Sequence, residues 1–219
     1  CANPECKEKF TNKTFNRKHC YKDECNTMEF ELLKTKAITK ANKAKSEHKL
    51  NDMTMLKYWT EFIQPVVNKI ARLVDNGQPC IASKLSTGKR NGGHYHSTAS
   101  NKTISLNLHN IHIQMEQSNN HQGGDSVKYR HGLIDIYGQQ YTDYIDMFLM
   151  QCPTLNLTKD DLIELKPRLT SIARRLEKLD MICPAKVRMR LRDEINEEIN
   201  IYQGEFASFK EYQQRPVHK

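Results

Sequence analysis

Residues 92–121 read GGHYHSTASNKTISLNLHNIHIQMEQSNNH and hold five of the nine histidines of a 219-residue chain. A neutral imidazole, with an ordinary pKa near 6.5, accepts a proton around neutral pH, so His94 can serve as a base toward water. An amide oxygen is a hard donor suited to Mg²⁺, which makes Asn119 a candidate ligand, with Asn120 an adjacent equivalent. His112 and His121 are further candidates for metal or phosphate contact. His96 and His109 read as ordinary loop residues. Lys89, Arg90, Lys128 and Arg130 flank the cluster and can meet phosphates. A base, a hard-cation ligand and flanking positive charge are together what phosphodiester cleavage requires.

A second group with metal chemistry lies in the first 25 residues as Cys1-x4-Cys6 and Cys20-x4-Cys25. Two pairs of thiols on short knuckles suit tetrahedral Zn²⁺, which stabilises a segment too small to build its own core. The wider x4 spacing is the unusual feature. Lys13, Arg17 and Lys18 make the loop between the knuckles basic, as a phosphate-contacting surface would be.

The remaining composition narrows the function classes. Lys+Arg outnumber Asp+Glu by 34 to 26, a net charge of +8, which favours a polyanionic partner and so nucleic acid, branched or duplex DNA first. No apolar run is long enough for a membrane span and no signal-peptide pattern is visible, so a soluble intracellular protein without a membrane partner is expected. Walker and Rossmann glycine motifs and a Ser/His/Asp order are absent.

Elements that could position these groups follow from periodicity. Residues 30–50 carry Lys at 34, 36, 40, 43, 45 and 49 with Ala between them and neither Gly nor Pro, which predicts an exposed helical connector. Leu56, Trp59, Ile63, Val66/Val67, Ile70 and Leu73/Val74 recur at helical spacing, predicting a core helix bent near Pro65 and ended by Asn76-Gly77. Residues 110–115 alternate strictly, placing Asn110, His112 and Gln114 on one face of a half-buried strand. Gly92 to His96 form a second short strand whose glycines permit close backbone approach. Ser97–His109 is a polar loop, and Ser118 to His121 have the residue types of a helix start. A helix opened by Ser126 and closed by Gly138, another from Thr142, one capped by Thr158 and interrupted at Pro167, and a charged one from Ala185 complete the chain.

A strand bearing His94, a loop, a second strand and a short helix starting at Asn119 together resemble the HNH, or ββα-metal, nuclease module. GGHY, Asn110-Ile-His-Ile-Gln, Asn119, Tyr129-Arg and Leu-Ile-x-x-Tyr-Gly more specifically resemble the phage NinG/Rap recombination endonucleases over about residues 56–150, with the four-Cys segment matching as well. The resemblance implies an α+β fold: a zinc ribbon at 1–28, a charged helical linker at 29–55, an HNH-like nuclease core at 56–150 and a helical C-terminal region at 151–219. It implies a metal-dependent, structure-selective DNA endonuclease acting in the bacterial host cytoplasm on Holliday junctions or D-loops. His94 would be the base, Asn110 would pin the loop, and Asn119, with His112 or His121, would hold Mg²⁺ or Mn²⁺. Phage recombination proteins and a second copy of the chain are the further partners implied. Two departures leave alternatives open. Gly93 stands where most HNH sites place an Asp, and Cys80-Ile-Ala-Ser83 with Met115-Glu-Gln-Ser118 replaces two Cys-x-x-Cys pairs, so that apolar packing takes the place of a second zinc. The alternatives are a general HNH nicking nuclease and a non-catalytic protein that binds branched DNA.

Counting thiols yields a first prediction. Cys80, Cys152 and Cys183 have no partner at ligand spacing, so metal analysis of protein purified without chelator should find one zinc per chain. Two zincs, or none, would contradict the assignment.

Overall fold

A computed structural model of the chain describes residues 1–13, 17–116 and 125–215. The chain divides into two compact units, Cys1–Met53 and Thr54–Lys219. Among the described residues no helix is long and apolar enough to cross a membrane.

In the first unit the described part of residues 1–22 contains no strand, so the ribbon expected from the sequence is instead a pair of turns leading into helix α1, Asp23–Asp52. Ala2 N–H donates to the Lys18 carbonyl at 2.7 Å, tying the turns together. Helix α1 begins earlier than the Lys/Ala pattern predicts, so Cys25 sits in its first turn. Asp23 and Glu24 there favour the partial positive charge of the helix N-terminus.

The second unit opens with a helical run made of α2 (Met55–Tyr58), a π-helical turn (Trp59–Ile63) and α3 (Gln64–Val74). Pro65 lacks an amide donor, and the run absorbs it by widening to a π turn before it and placing it in the first turn of α3. Trp59, Ile63, Val67, Ile70 and Val74 are buried as their spacing predicts, but Leu56 is 59% exposed. Strand β1 (Arg90–His94) pairs antiparallel with β2 (Ile111–Met115), with Gly93 opposite His112 and His94 opposite Ile111. Gly92 lets β1 lie against α3, because a Cβ there would stand 2.7 Å from the Asn68 carbonyl oxygen.

After the ribbon come α4 (Ser126–Tyr137), capped by the Asp125 side chain on Lys128 N–H, and α5 (Gln139–Asp143). Gly138 ends α4 at φ 90°, a conformation that favours glycine. Helix α6 (Lys159–Leu179) opens with a capping box between Thr158 and Asp161. Contrary to the expected interruption, α6 runs through Pro167. The carbonyl that Pro167 leaves without an amide donor belongs to Ile163, which is 40% exposed, so water can satisfy it. Helices α7 (Ala185–Ile199) and α8 (Phe209–Gln213) close the chain. Tyr129, Leu133, Tyr141, Tyr144, Ile145, Phe148 and Phe209 form an aromatic-rich core with Cys80, Ile81 and Met115.

Strand β2 is buried at all five positions, where alternation predicts burial on one face only. The polar face is covered because α7 supplies polar partners to the backbone around it. Arg192 donates to the Leu108 carbonyl at 3.0 Å and to both Asp75 carboxylate oxygens, at 2.9 and 2.8 Å. Asp75 in turn accepts from the Ile113 amide at 2.9 Å and the Tyr137 hydroxyl at 3.3 Å, and Arg188 Nε lies 3.3 Å away. Asn196 caps the Leu108 amide at 3.1 Å. Arg192 is fully buried, and removing its carboxylate partner would leave an uncompensated charge in the core. Asp75→Ala should therefore cost about 3–5 kcal/mol of folding free energy, read from the urea midpoint at unchanged m-value. A shift below about 1 kcal/mol would show that Asp75 is not the keystone of this network.

Candidate functional site

The ribbon presents His94 at the end of β1, half-buried beneath the loop that precedes β2. Its Nε2 lies 2.9 Å from the Ser105 carbonyl oxygen. The Gln64 amide nitrogen stands 3.1 Å from the same Nε2; with its two hydrogens given to Asn68 and Ser105, and a carbonyl able only to accept, the contacts are satisfied when His94 Nε2 carries the proton and Nδ1 keeps the lone pair. Gln64 from the start of α3 braces the same carbonyl through its Nε2 at 3.1 Å, and bonds Asn68 at 3.0 Å. Burial lowers the His94 pKa from the usual histidine value, against an opposing contribution from the Ser105 bond, which keeps the ring neutral near pH 7. His94 is thus an oriented imidazole whose burial favours the neutral form and whose Ser105 contact favours the proton on Nε2.

Asn110 bonds both the amide and the carbonyl of His96 in the loop backbone. Its Oδ1 accepts from the His96 amide at 2.8 Å and its Nδ2 donates to the His96 carbonyl at 2.9 Å, so one side chain closes the polypeptide after β1 onto the start of β2. Its contribution to the site is positional.

His112 is separated from His94 by the pleat. The register pairs His112 with Gly93 and His94 with Ile111, so the two imidazoles project from opposite faces of the ribbon. His112 is buried, with its backbone amide 3.0 Å and its Nδ1 3.2 Å from the Tyr129 hydroxyl, which itself donates to the Gly93 carbonyl at 2.9 Å. Burial, with Arg192, His109 and Arg188 nearby, holds the His112 pKa well below the usual range. Asn119, Asn120 and His121 lie outside the described residues.

Neither remaining histidine of the stretch is an ordinary loop residue. His109 is fully buried, with Nδ1 3.0 Å from the Tyr141 hydroxyl and Nε2 3.0 Å from Asp193. His96 lies 3.4 Å from Asp146, and burial lowers its pKa despite that carboxylate.

The basic residues around the ribbon are largely engaged at the surface. Lys89 pairs with Glu116 at 2.8 Å, Lys128 with Asp125 at 2.6 Å, and Arg130 with Asp146 at 3.0 Å, while Arg90 donates to the Ser86 carbonyl at 2.8 Å. Such exposed pairs are weak enough to exchange for phosphate. Arg17, by contrast, is built into the cysteine knuckle. It donates to the His19 and Cys20 carbonyls at 2.9 and 3.0 Å, bonds Asn26, pairs with Glu29 at 3.3 Å and stacks on Tyr21. Lys13 and Lys18 are exposed.

The four N-terminal thiols converge, with all four sulfur atoms within 4.8 Å of one another. Cys1 and Cys25 Sγ are 3.6 Å apart, as are Cys6 and Cys20 Sγ. Four sulfurs at about 2.3 Å from a tetrahedral Zn²⁺ stand about 3.8 Å from one another, whereas a disulfide requires about 2.05 Å. The Cys20 amide and the Asn3 side chain donate to Cys1 and Cys25 Sγ at 3.2 and 3.3 Å, which favours thiolates. The cluster has the donor set and spacing to hold zinc. Among the described residues no other group of three His, Cys, Asp or Glu side chains converges in this way.

Where the resemblance would place a second zinc, Cys80 Sγ accepts from the Ser83 and Met115 amides at 3.4 and 3.2 Å. Met115, Ile81 and Ala82 pack around it in the core. Gln64 and Ser105 were missed by sequence reasoning. Their only sequence signal is that Gln64 precedes a proline and Ser105 sits in a polar loop, and neither signal is specific.

The description Bacteriophage Lambda NinG protein fits residues 1–180 of the chain as a family match. Protein ninG of Escherichia phage lambda is 32% identical over 161 residues, which cover 67% of this chain and 78% of that protein. Protein ninG of Salmonella phage P22 is 31% identical over 161 residues, covering 67% and 79% respectively. Protein ninG of Enterobacteria phage H19B is 37% identical over 90 residues, 41% of this chain and 45% of that protein. No solved structure matches the chain. With the cysteine cluster, helix α1 and the β1–β2 ribbon all inside the matched span, this chain belongs to the bacteriophage lambda NinG family.

Proposed function

We propose that this NinG-family chain is a divalent-metal-dependent endodeoxyribonuclease of phage recombination that acts on branched intermediates such as Holliday junctions or D-loops. The observation that carries the reading is His94: burial favours its neutral form, and its Nε2 lies 2.9 Å from the Ser105 carbonyl oxygen, which favours the proton on Nε2 and leaves Nδ1 as the proton acceptor. That arrangement is what a general base toward water requires, because tautomer and ring orientation are fixed before substrate arrives. Gln64 and Asn110 are positioning residues in this reading. Gln64 steadies the carbonyl that orients His94, and Asn110 fixes the loop beside it.

A Mg²⁺ or Mn²⁺ ion, when bound, would supply charge stabilisation at the phosphate and the leaving oxygen. Its ligands on this reading, Asn119 and His121, lie outside the described residues. His112 faces away from His94 and instead supports the ribbon through Tyr129. Zn²⁺ at Cys1, Cys6, Cys20 and Cys25 would act structurally, since four thiolates leave no open coordination position. Selectivity for branched over linear DNA rests on the family resemblance, and a junction-versus-duplex competition assay separates it from general nicking.

His94→Ala removes the base without removing charge from the surface. Metal-dependent cleavage of a four-way junction should fall by roughly 10²–10⁴-fold while junction binding is retained. His131→Ala, at an exposed position on α4, should cut normally. Because the folded-state pKa of His94 is lowered, the base is unprotonated at and somewhat below pH 6.5, so the rate should hold through that value and fall only as pH drops through the lowered pKa. Near-normal cleavage by His94→Ala would sink the assignment of the base. Absence of any metal-dependent cleavage by the unmodified protein would favour the non-catalytic DNA-binding reading.

A further inference from the structure

Helix α1 is the largest feature that the proposed chemistry leaves unused. Residues 30–49 are exposed without exception, including Phe30 at 65%, Leu33 at 57% and Ile38 at 51%. At about 100° per residue, Lys36, Lys40 and Lys43 fall within an arc of about 60°, and Lys34, Lys45 and Lys49 fall within a similar arc on the opposite side. Phe30, Leu33, Ala37, Ala41, Ala44 and His48 line one face between these two rails, and Thr35, Thr39, Asn42 and Ser46 line the other.

Few carboxylates neutralise the rails. Lys34 and Lys43 have Glu31 and Glu47 at 3.8 and 3.9 Å, both at the outer limit of an ion pair, and Asp52 is taken by His48 at 2.8 Å. Lys36, Lys40, Lys45 and Lys49 form no ion pair among the described residues. A second copy docked along the Phe30–Ala44 stripe would set lysine rails against lysine rails, and like charges at such flanking positions oppose association. The charge pattern therefore selects a polyanion.

We infer that helix α1 lies in the major groove of a B-form DNA duplex, its two lysine rails contacting the phosphates of the two bordering strands and its slender alanine face turned toward the base edges. The major groove, about 12 Å wide, admits an α-helix, and continuous unsupported helices with basic flanks bind there. From Lys34 to Lys49 the helix rises about 22 Å, enough to follow about six base pairs. Small side chains at 37, 41 and 44 let the helix approach the groove floor, where a bulky face would hold it off. The inference rests on the proposed reading of the chain as a DNA enzyme, and assigns the duplex-arm contact to an element remote in sequence from His94.

The test is binding of the full chain to a 24-base-pair linear DNA duplex across a salt series, without added Mg²⁺, so that cleavage plays no part. Each phosphate contact contributes about 0.9 to the slope of log affinity against log salt, so a variant combining Lys36→Gln, Lys40→Gln, Lys45→Gln and Lys49→Gln should lose about 3–4 from that slope. Gln matches Lys in helix propensity, so circular dichroism should show equal helicity. An RNA duplex of the same sequence should bind at least about tenfold more weakly, because the A-form major groove is too narrow for a helix. An unchanged slope in the variant, or equal affinity for the RNA duplex, overturns the groove assignment and leaves the nuclease reading standing. Failure of the unmodified protein to bind any DNA overturns both.

Discussion

The second unit depends on one buried ion pair. Asp75, at the end of α3, is a carboxylate enclosed by the core, and Arg192 from α7 meets both of its oxygens. Neither charge would be tolerable alone. Joined, they link α3 to α7 across 117 residues of sequence and set both against the strand that carries His112. Asp75 takes the Ile113 amide and Arg192 takes the Leu108 carbonyl, so the pair also satisfies backbone groups at both ends of that stretch. Arg188, Arg192 and Asn196 all lie beyond residue 180, where the family match ends, and yet they organise the segment that holds the candidate base.

Burying β2 on both faces changes what its histidines can do. An imidazole enclosed among Tyr129, Tyr137 and Tyr141 is kept neutral and its Nδ1 is engaged by the Tyr129 hydroxyl within the core, as in His112. His94, one pleat away on the partner strand, is the one aimed at the loop side, where the Ser105 carbonyl and the Gln64 amide meet its Nε2. The ribbon thus divides its polar residues by pleat parity, with structural groups on one face and the candidate base on the other.

The first unit reaches stability by a different route. It has almost no apolar core, and beyond Cys25 its helix buries nothing. Four converging thiols, the Arg17 hydrogen bonds and the Ala2–Lys18 backbone link fix the turns. A cysteine cluster able to hold zinc suits a module whose outer surface is left free for charge.

The local choices were legible in the sequence because they depend on near neighbours. The Thr158 capping box, the Gly138 stop, the Lys/Ala helix and the alternation of residues 110–115 all follow from spacing over a few positions, and the four-cysteine cluster from ligand count. The glycines of β1 signalled close approach. Other features were decided by the tertiary structure. Alternation could not say that the polar face of β2 would be covered, because the covering side chains come from α4, α5 and α7. Residue types placed His112 beside His94 in function, whereas the strand register put them on opposite faces. His109 looked like a loop residue because Tyr141 and Asp193, its partners, are distant in sequence. Pro167 looked like a break, but α6 continues through it, with Ile163, whose carbonyl loses its donor, at an exposed position one turn earlier. Short-range patterns fix backbone conformation through local sterics and hydrogen bonding, while the fate of a polar side chain is set by which distant group arrives to pair with it.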